Sequence, residues 1–379
     1  EREATWLREV TKAKSKKTLK NAIEAWNTYS SATPLAFGII FITDSRSYAD
    51  PLPEIEIRDG CKLAIIAAGG LSEEPGKAGK SRMTLDNLRP HIIGDLIVKR
   101  PLEISKNANR RGEFIIDGLM VEGALAVKSG NLGLLHLAHS TVLSPTGLAE
   151  GKAGIAISGG NTNLKVMLDR CITGPIRAAA NVDRMIITDS IIDGGEKGFP
   201  ALDGEAETEY GPAAEITRST LFGAVSVREL DASETIFTGE VNVERCQTGC
   251  MRFSYHALPA DPAVAPKTPP RYRCQPGLEI AMQEEKYRQE GLSVDAAAIR
   301  QQVSLWLVPR FESRRYSDPA YGQLSLASPE QIRTGGEDGS EMGAFNHLRQ
   351  PQRQTNIRTA LEEYLRSGLD AGIFYVRQE

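Results

Sequence analysis

Aromatic residues are scarce in this chain, at 6 % of 379 residues. A cleft paved with aromatic platforms for sugar rings is therefore not expected; Phe114, Phe222 and Phe237 fall inside apolar runs and read as core. Basic charge is not in excess either. Lys and Arg number 45 against 49 Asp and Glu, a net charge of −4 with both signs interspersed, so no nucleic-acid partner is expected. No apolar run is long enough to span a bilayer, and no secretory leader is visible. The five cysteines, Cys61, Cys171, Cys246, Cys250 and Cys274, are too few and odd in number for a disulfide framework. Buried free thiols in a reducing, cytoplasmic setting are expected instead. A phosphate loop is missing: Gly335-Gly336-Glu337-Asp338-Gly339 is glycine-rich, but its carboxylates repel phosphate and no Lys-Ser or Lys-Thr follows. No G-x-S-x-G elbow occurs, and no cofactor is expected.

What the chain does have is glycine, 35 residues of it, and a repeated phrase of strand, polar-small pair, strand. It runs through Ile115–Val121, Leu135–Leu143, Val166–Ile172, Ile186–Ile192 and Ile216–Phe222, with a degenerate copy at Leu230–Phe237. The small residues Gly118, Ser140, Cys171, Ser190 and Ser219 lie 22, 31, 19 and 29 residues apart. Such units cannot bury an apolar face alone and must stack. Fixed strands with loops of variable length predict a right-handed parallel β-helix, a mainly β solenoid. Ile115, Leu137, Val166, Ile187, Ile216 and Ile236, or their neighbours on the other strand face, should form inward aliphatic ladders.

Around this solenoid the pattern predicts an N-terminal helical cap over 1–37. Thr18 starts a helix that buries Leu19, Ala22, Ile23 and Trp26 over the first coil. The basic run Lys12–Lys20 reads as a solvated helix start. The β-helix is assigned to 38–257, with a Gly- and charge-rich loop at 69–90 and an exposed acidic loop at Glu196–Pro212. A Pro-rich linker is expected over 258–278. The C-terminal extension, 279–379, should hold helices near 279–303 and 356–367 and a terminal strand at Ile373–Val376. In the last helix Ile357, Leu361, Tyr364 and Leu365 form one apolar stripe that needs a surface to dock on.

Clustered carboxylates on a β-helix would suit glycan chemistry. Asp169, Asp183, Asp189 and Asp193 are the candidates, with Asp169 and Asp189 at equivalent repeat positions beside Asp117, His139 and Arg218. The mixture of signs favours turn chemistry and charge balance, so no catalytic residue is assigned. His136 and His139 are three apart, which places them on opposite faces of a strand. Cys246, Cys250, Cys274 and His256 offer a minority zinc reading with unusual spacing; the preferred reading assigns no metal.

Several longer phrases belong together: Asp44–Tyr48, Gly249–Tyr255, Arg271–Pro276, Asp318–Leu324, Glu330–Phe345 and Gln350–Arg353. They resemble a family of uncharacterised bacterial β-helix (pectate-lyase-like) proteins encoded beside baseplate genes of phage-tail-like contractile injection systems. The resemblance implies a structural or interaction component at the baseplate or its periphery, with other particle proteins as partners and no known catalytic residues. The alternative is a polysaccharide lyase or glycoside hydrolase acting on a cell-surface glycan. For the first reading, Glu337, Asp338, Glu341, Arg349 and Arg353, charged and placed just before the last helix, are the expected rim of a partner interface.

Overall fold

The computed structural model describes residues 4–11, 18–69, 71–73, 81–83, 87–101, 111–130, 132–195, 198–206, 209–261, 264–366, 369 and 372. Three stacked parallel sheets of 11, 9 and 8 strands wind as a right-handed parallel β-helix. Each complete coil contributes one strand to each sheet, and the coils at the two ends are partial. The first sheet runs from Trp6–Val10 through Glu113–Asp117, Leu134–Ala138, Lys165–Asp169 and Arg184–Thr188 to Arg271–Tyr272. Between the described strands the one antiparallel pairing is the hairpin Leu71–Glu73 with Ser81–Met83, inside the expected 69–90 loop.

Stacking in register makes the core. Phe114, Leu135, Val166 and Met185 align and are wholly buried, as are Ile116, Leu137, Leu168, Ile187 and Ile216 one turn of the pleat away. At Ile115 it is the neighbours on the other strand face that form the ladders. Ile115 itself aligns with His136, Met167 and Ile186 on the outer face, because period-2 alternation sends its neighbours Phe114 and Ile116 inward.

The polar-small pair is the corner between the first and second sheets. Its first residue is left-handed: φ is 45° at His139, 51° at Arg170, 48° at Asp189 and 45° at Arg218. The second is a buried Ser, Thr or Cys. The Ser140 hydroxyl donates to Ala138 O at 2.7 Å and accepts from Leu119 N of the previous coil at 3.2 Å. Ser190, Ser219 and Ser254 repeat this double bond. The hydroxyl ladder thus satisfies corner N–H groups that no β-ladder reaches. It also corrects two sequence alignments. Gly118 (φ 76°) stands in line with His139, and Leu119 with Ser140. Asp169 pairs with Thr188, so Asp189 aligns with Arg170 and the two aspartates are not equivalent.

Helix α1 (Leu19–Ala32) lies across the first coil, with the Thr18 hydroxyl accepting from Asn21 N. It buries Leu19, Ala22, Ile23 and Trp26. Trp26 meets Trp6 edge-on at 5.7 Å and donates from Nε1 to Glu56 O at 2.9 Å. Gly38 is required beneath it, since a Cβ there would lie 2.4 Å from the Trp26 ring. The strand Trp6–Val10 pairs with Phe37–Ile42, so the solenoid begins before its capping helix. Lys12–Lys17 of the basic run lie outside the described residues.

At the other end the Pro-rich stretch is a last partial coil in place of the expected linker. Val243 N donates to Lys267 O at 2.8 Å, Met251 N to Pro270 O at 2.9 Å, and Arg271–Tyr272 closes the first sheet. Prolines here remove donors from the outer edge and discourage a further strand. The acidic stretch 196–212 is also no simple exposed loop: Leu202–Asp203 is a buried strand of the third sheet.

Beyond the coils come α3 (Gly277–Gln289) and α4 (Ala296–Trp306), the latter capped by Asp295. The short α2 (Pro145–Glu150) lies earlier, in a loop between coils. From α4, Ile299 and Val303 join Leu307, Leu324, Ile332 and Met342 against Ile236 and Tyr255 of the second sheet. The segment 309–348, including α5 (Glu330–Arg333), runs as a strap along that sheet. Helix α6 spans Gln350–Tyr364, six residues earlier in its start than predicted. Its stripe is not buried: Ile357 is 50 % and Tyr364 84 % exposed. The expected terminal strand Ile373–Val376 lies outside the described residues.

Candidate functional site: the corner ladder and the C-terminal strap

The left-handed corner residues stack outward into a column: Gly118, His139, Arg170, Asp189, Arg218, Glu234, Phe253, Arg273. Its middle is compensated. Arg218 grips Asp189 through Nε at 2.7 Å and Nη2 at 3.3 Å, and Arg170 stands 4.0 Å from the same carboxylate. The Asp189 hydrogen bond raises the already high Arg218 pKa further. His139 Nδ1 lies 3.0 Å from Asp117, and its Nε2 lies 3.4 Å from Arg170. Asp189 is therefore a partner of arginines within a stacking ladder.

Asp193 has a different task. It lies on the second sheet, buried, and takes the Tyr321 hydroxyl of the strap while accepting from Gly195 N. Burial drives the Tyr321 phenol well above its ordinary range, with the Asp193 charge adding to it. Around this bond Phe311 meets Phe222 edge-on at 4.8 Å, and the Arg314 guanidinium stands 4.6 Å over the Phe222 ring. Ala344 N donates to Thr220 Oγ1 at 3.0 Å, Gly343 N to Glu234 O at 2.8 Å, and Glu337 N to Glu234 Oε1 at 2.9 Å. Asp183, the remaining acid of the candidate set, is exposed.

The five expected rim residues separate. Glu337, Asp338, Arg349 and Arg353 are exposed, and Arg349 lies 3.7 Å from Asp338. Glu341 is not a rim residue. It is 5 % exposed, its Oε1 has no hydrogen-bond partner, and burial raises its pKa to about 7 against the opposing pull of Arg333. Sequence spacing missed this because Met342, Gly343 and Ala344 carry Glu341 into the strap's contact with the solenoid.

The possible zinc ligands do not converge. Cys246 Sγ lies 3.2 Å from Val243 O, Cys274 Sγ lies 3.6 Å from Tyr272 O, and His256 bonds Ala257 O and Arg271. Burial lowers the His256 pKa to about 4. Among the described residues no three His, Cys, Asp or Glu side chains gather closely enough to hold a metal ion. His136 lies in a first-sheet strand and His139 at the following corner, where it faces Asp117 and Arg170. Among those residues, too, no helix is long and apolar enough to cross a membrane.

Two residue groups escaped the sequence reading. One is the second sheet's outer face, where Thr220–Phe222 is buried at every position. An unbroken buried run of this kind is the signal of a strand covered on both sides. The other is the end of the corner column, where Phe253 and Arg273 line a cleft of about 330 Å3 with the strap's Gly335 and Gly336. Comparison with protein-family models, with curated proteins and with solved structures finds no match to this chain.

Proposed function

We propose that this chain is a structural docking component of a phage-tail-like contractile injection particle, sited at the baseplate or its periphery. The observation that carries the reading is α6. None of its 15 residues is fully buried, only polar bonds from Gln352 and Gln354 tie its start to the strap, and an isolated helix of this length is marginal in water. A helix that keeps Ile357 and Tyr364 in solvent on a rigid solenoid suits insertion into a neighbouring subunit. The phrases that resemble the injection-system family, dense in the strap and the start of α6, suggest the class of neighbour. The acids most suited to glycan cleavage, Asp189 and Asp193, are committed to Arg218 and Tyr321.

The test is affinity purification from the native host of the full chain and of a chain ending at Leu348. Cutting there spares the strap, whereas a cut after Ser328 removes the contacts of Gly343 and Ala344 with the solenoid. Sheath, tube or baseplate proteins should accompany the full chain and be lost from the shortened one. Equal recovery with both, or none with either, overturns the reading.

A further inference from the structure

The two ends of the solenoid close differently. Over the first coil α1 buries Leu19, Ala22, Ile23 and Trp26. At the last coil no residue of α3 is buried, and the inward ladders change chemistry instead. The column Ile187, Ile216, Ala232 and Met251 continues in register to Arg271. On the second sheet Leu221 and Phe237 are followed by His256. Arg271 Nη1 donates to His256 Nε2 at 3.1 Å, while His256 Nδ1 donates to Ala257 O at 3.1 Å. Burial keeps this imidazole neutral at neutral pH, so it brings no counter-charge. A cation thus stands where the aliphatic core ends. Arg271 and Arg273 both line a cleft of about 520 Å3 there, inside the ~300–1,000 Å3 found for small-molecule sites. Among the described residues neither guanidinium pairs with a carboxylate: Arg271 meets His256, and Arg273 stands 5.9 Å over Phe253. None of the residues lining the cleft is acidic. A Cβ built on Gly277, also in the lining, would meet only Arg271 Nη1, at 3.7 Å, so open space lies beside that guanidinium.

We propose that this open end of the solenoid binds a nucleoside monophosphate. A phosphate monoester carries about two negative charges at neutral pH, which matches the two uncompensated guanidinium groups. Their planar forks take its oxygens. Pro266, Pro269 and Pro270 line the same cleft and give the flat face of a base an apolar surface, and the Thr268 hydroxyl is there for the ribose. A monocarboxylate leaves one cation unmatched, and a nucleoside without phosphate leaves both. The site rests on the cleft alone and does not depend on membership of a particle.

Calorimetric titration of the full chain with adenosine monophosphate, adenosine and inorganic phosphate tests this. Saturable binding of the monophosphate is expected, weakening as salt is added, with inorganic phosphate weaker and adenosine weakest. Arg273→Gln and Arg271→Gln should each weaken it about tenfold or more, the loss of one charge-assisted contact. Arg271 also bonds buried His256, so circular dichroism must first show that its variant folds; if it does not, Arg273→Gln, at an exposed corner, decides alone. No binding of the monophosphate at millimolar concentration overturns the proposal. So does binding that the folded arginine variants retain in full, or adenosine or inorganic phosphate that binds as tightly as the monophosphate.

Discussion

The coils and the C-terminal segment use opposite strategies for holding a chain in place. In the coils each contact recurs: an inward aliphatic, a left-handed corner and a buried hydroxyl, each supported from above and below. In the strap each contact occurs once. Tyr321 finds Asp193, Ala344 finds Thr220, and Gly343 finds Glu234. Helix α6 goes further: none of its residues is fully buried, and its bonds to the strap are the polar ones of Gln352 with Asp338 O and Gln354 with Arg333. Repetition spreads stability over neighbours, as in any solenoid. Single contacts concentrate it, so the strap can open on its own when one group changes, whereas the coils hold or fail together.

The largest effect should come from breaking the repeated region. Ile187 is wholly buried between Leu168 and Ile216. Ile187→Asp removes about 1.5–3 kcal/mol of apolar burial and places a carboxylate without a partner in the stack. Soluble folded protein should be lost, as read by circular dichroism and gel filtration. A folded Ile187→Asp chain would mean that the ladder is not the source of stability.

The strap should respond to pH. Burial raises Glu341 to about 7 from an ordinary 4.5. Below pH 4.5 docked and released straps both carry the proton. Between 4.5 and 7 only the docked strap keeps it, so docking weakens as pH rises and settles at its reduced level above 7. A gap of about 2.5 pH units corresponds to about 3 kcal/mol. Hydrogen exchange over 309–348, corrected for intrinsic rate, should show more opening at pH 8 than at pH 5. Glu341→Gln should remove that difference and tighten the strap at pH 8. A pH-independent strap in the parent chain would show that Glu341 ionises freely where it stands.

A smaller loss is expected from Tyr321→Phe. It takes one partner from buried Asp193, which keeps its bond from Gly195 N at 2.8 Å. A cost of about 1–3 kcal/mol follows for an unsatisfied buried acceptor. It should appear as faster exchange in the strap, with protection in the first sheet unchanged. Equal loss in both regions would mean that strap and coils unfold as one unit.

The difference between the two regions also explains what the sequence made legible. Period-2 runs such as Met185–Ile187 and the recurring Ser or Cys at the corner are local signals, repeated often enough to reveal the solenoid. Register to a single residue was not legible: Gly118 fits both the small-residue pattern and the positive φ of the corner, and spacing alone does not separate the two. The pairing of Asp193 with Tyr321 spans 128 positions and carries no periodicity. Nor does spacing show that Glu341 turns inward while Glu337 and Asp338 stay in solvent. The stripe of α6 has the pattern of a face in need of cover, yet its own chain leaves Ile357 and Tyr364 in solvent.

The smallest effect on stability should come from that stripe. In a docked amphipathic helix, replacing Ile357 and Tyr364 by Ser would cost several kcal/mol of lost burial. Here Ile357 is half exposed and Tyr364 is 84 % exposed, and no residue of α6 is buried. Exposed substitutions usually stay within about 0.5 kcal/mol. The double variant Ile357→Ser, Tyr364→Ser should therefore melt with the parent chain while losing recovery of particle proteins from the native host. Helicity from α6 should change little, since serine, isoleucine and tyrosine have similar helix propensity. A melting point lowered by more than about 1 kcal/mol of stability would place α6 against its own solenoid in solution. The contrast between a strap held by single buried contacts and a helix with no buried residue would then disappear, and with it the main support for a docking role.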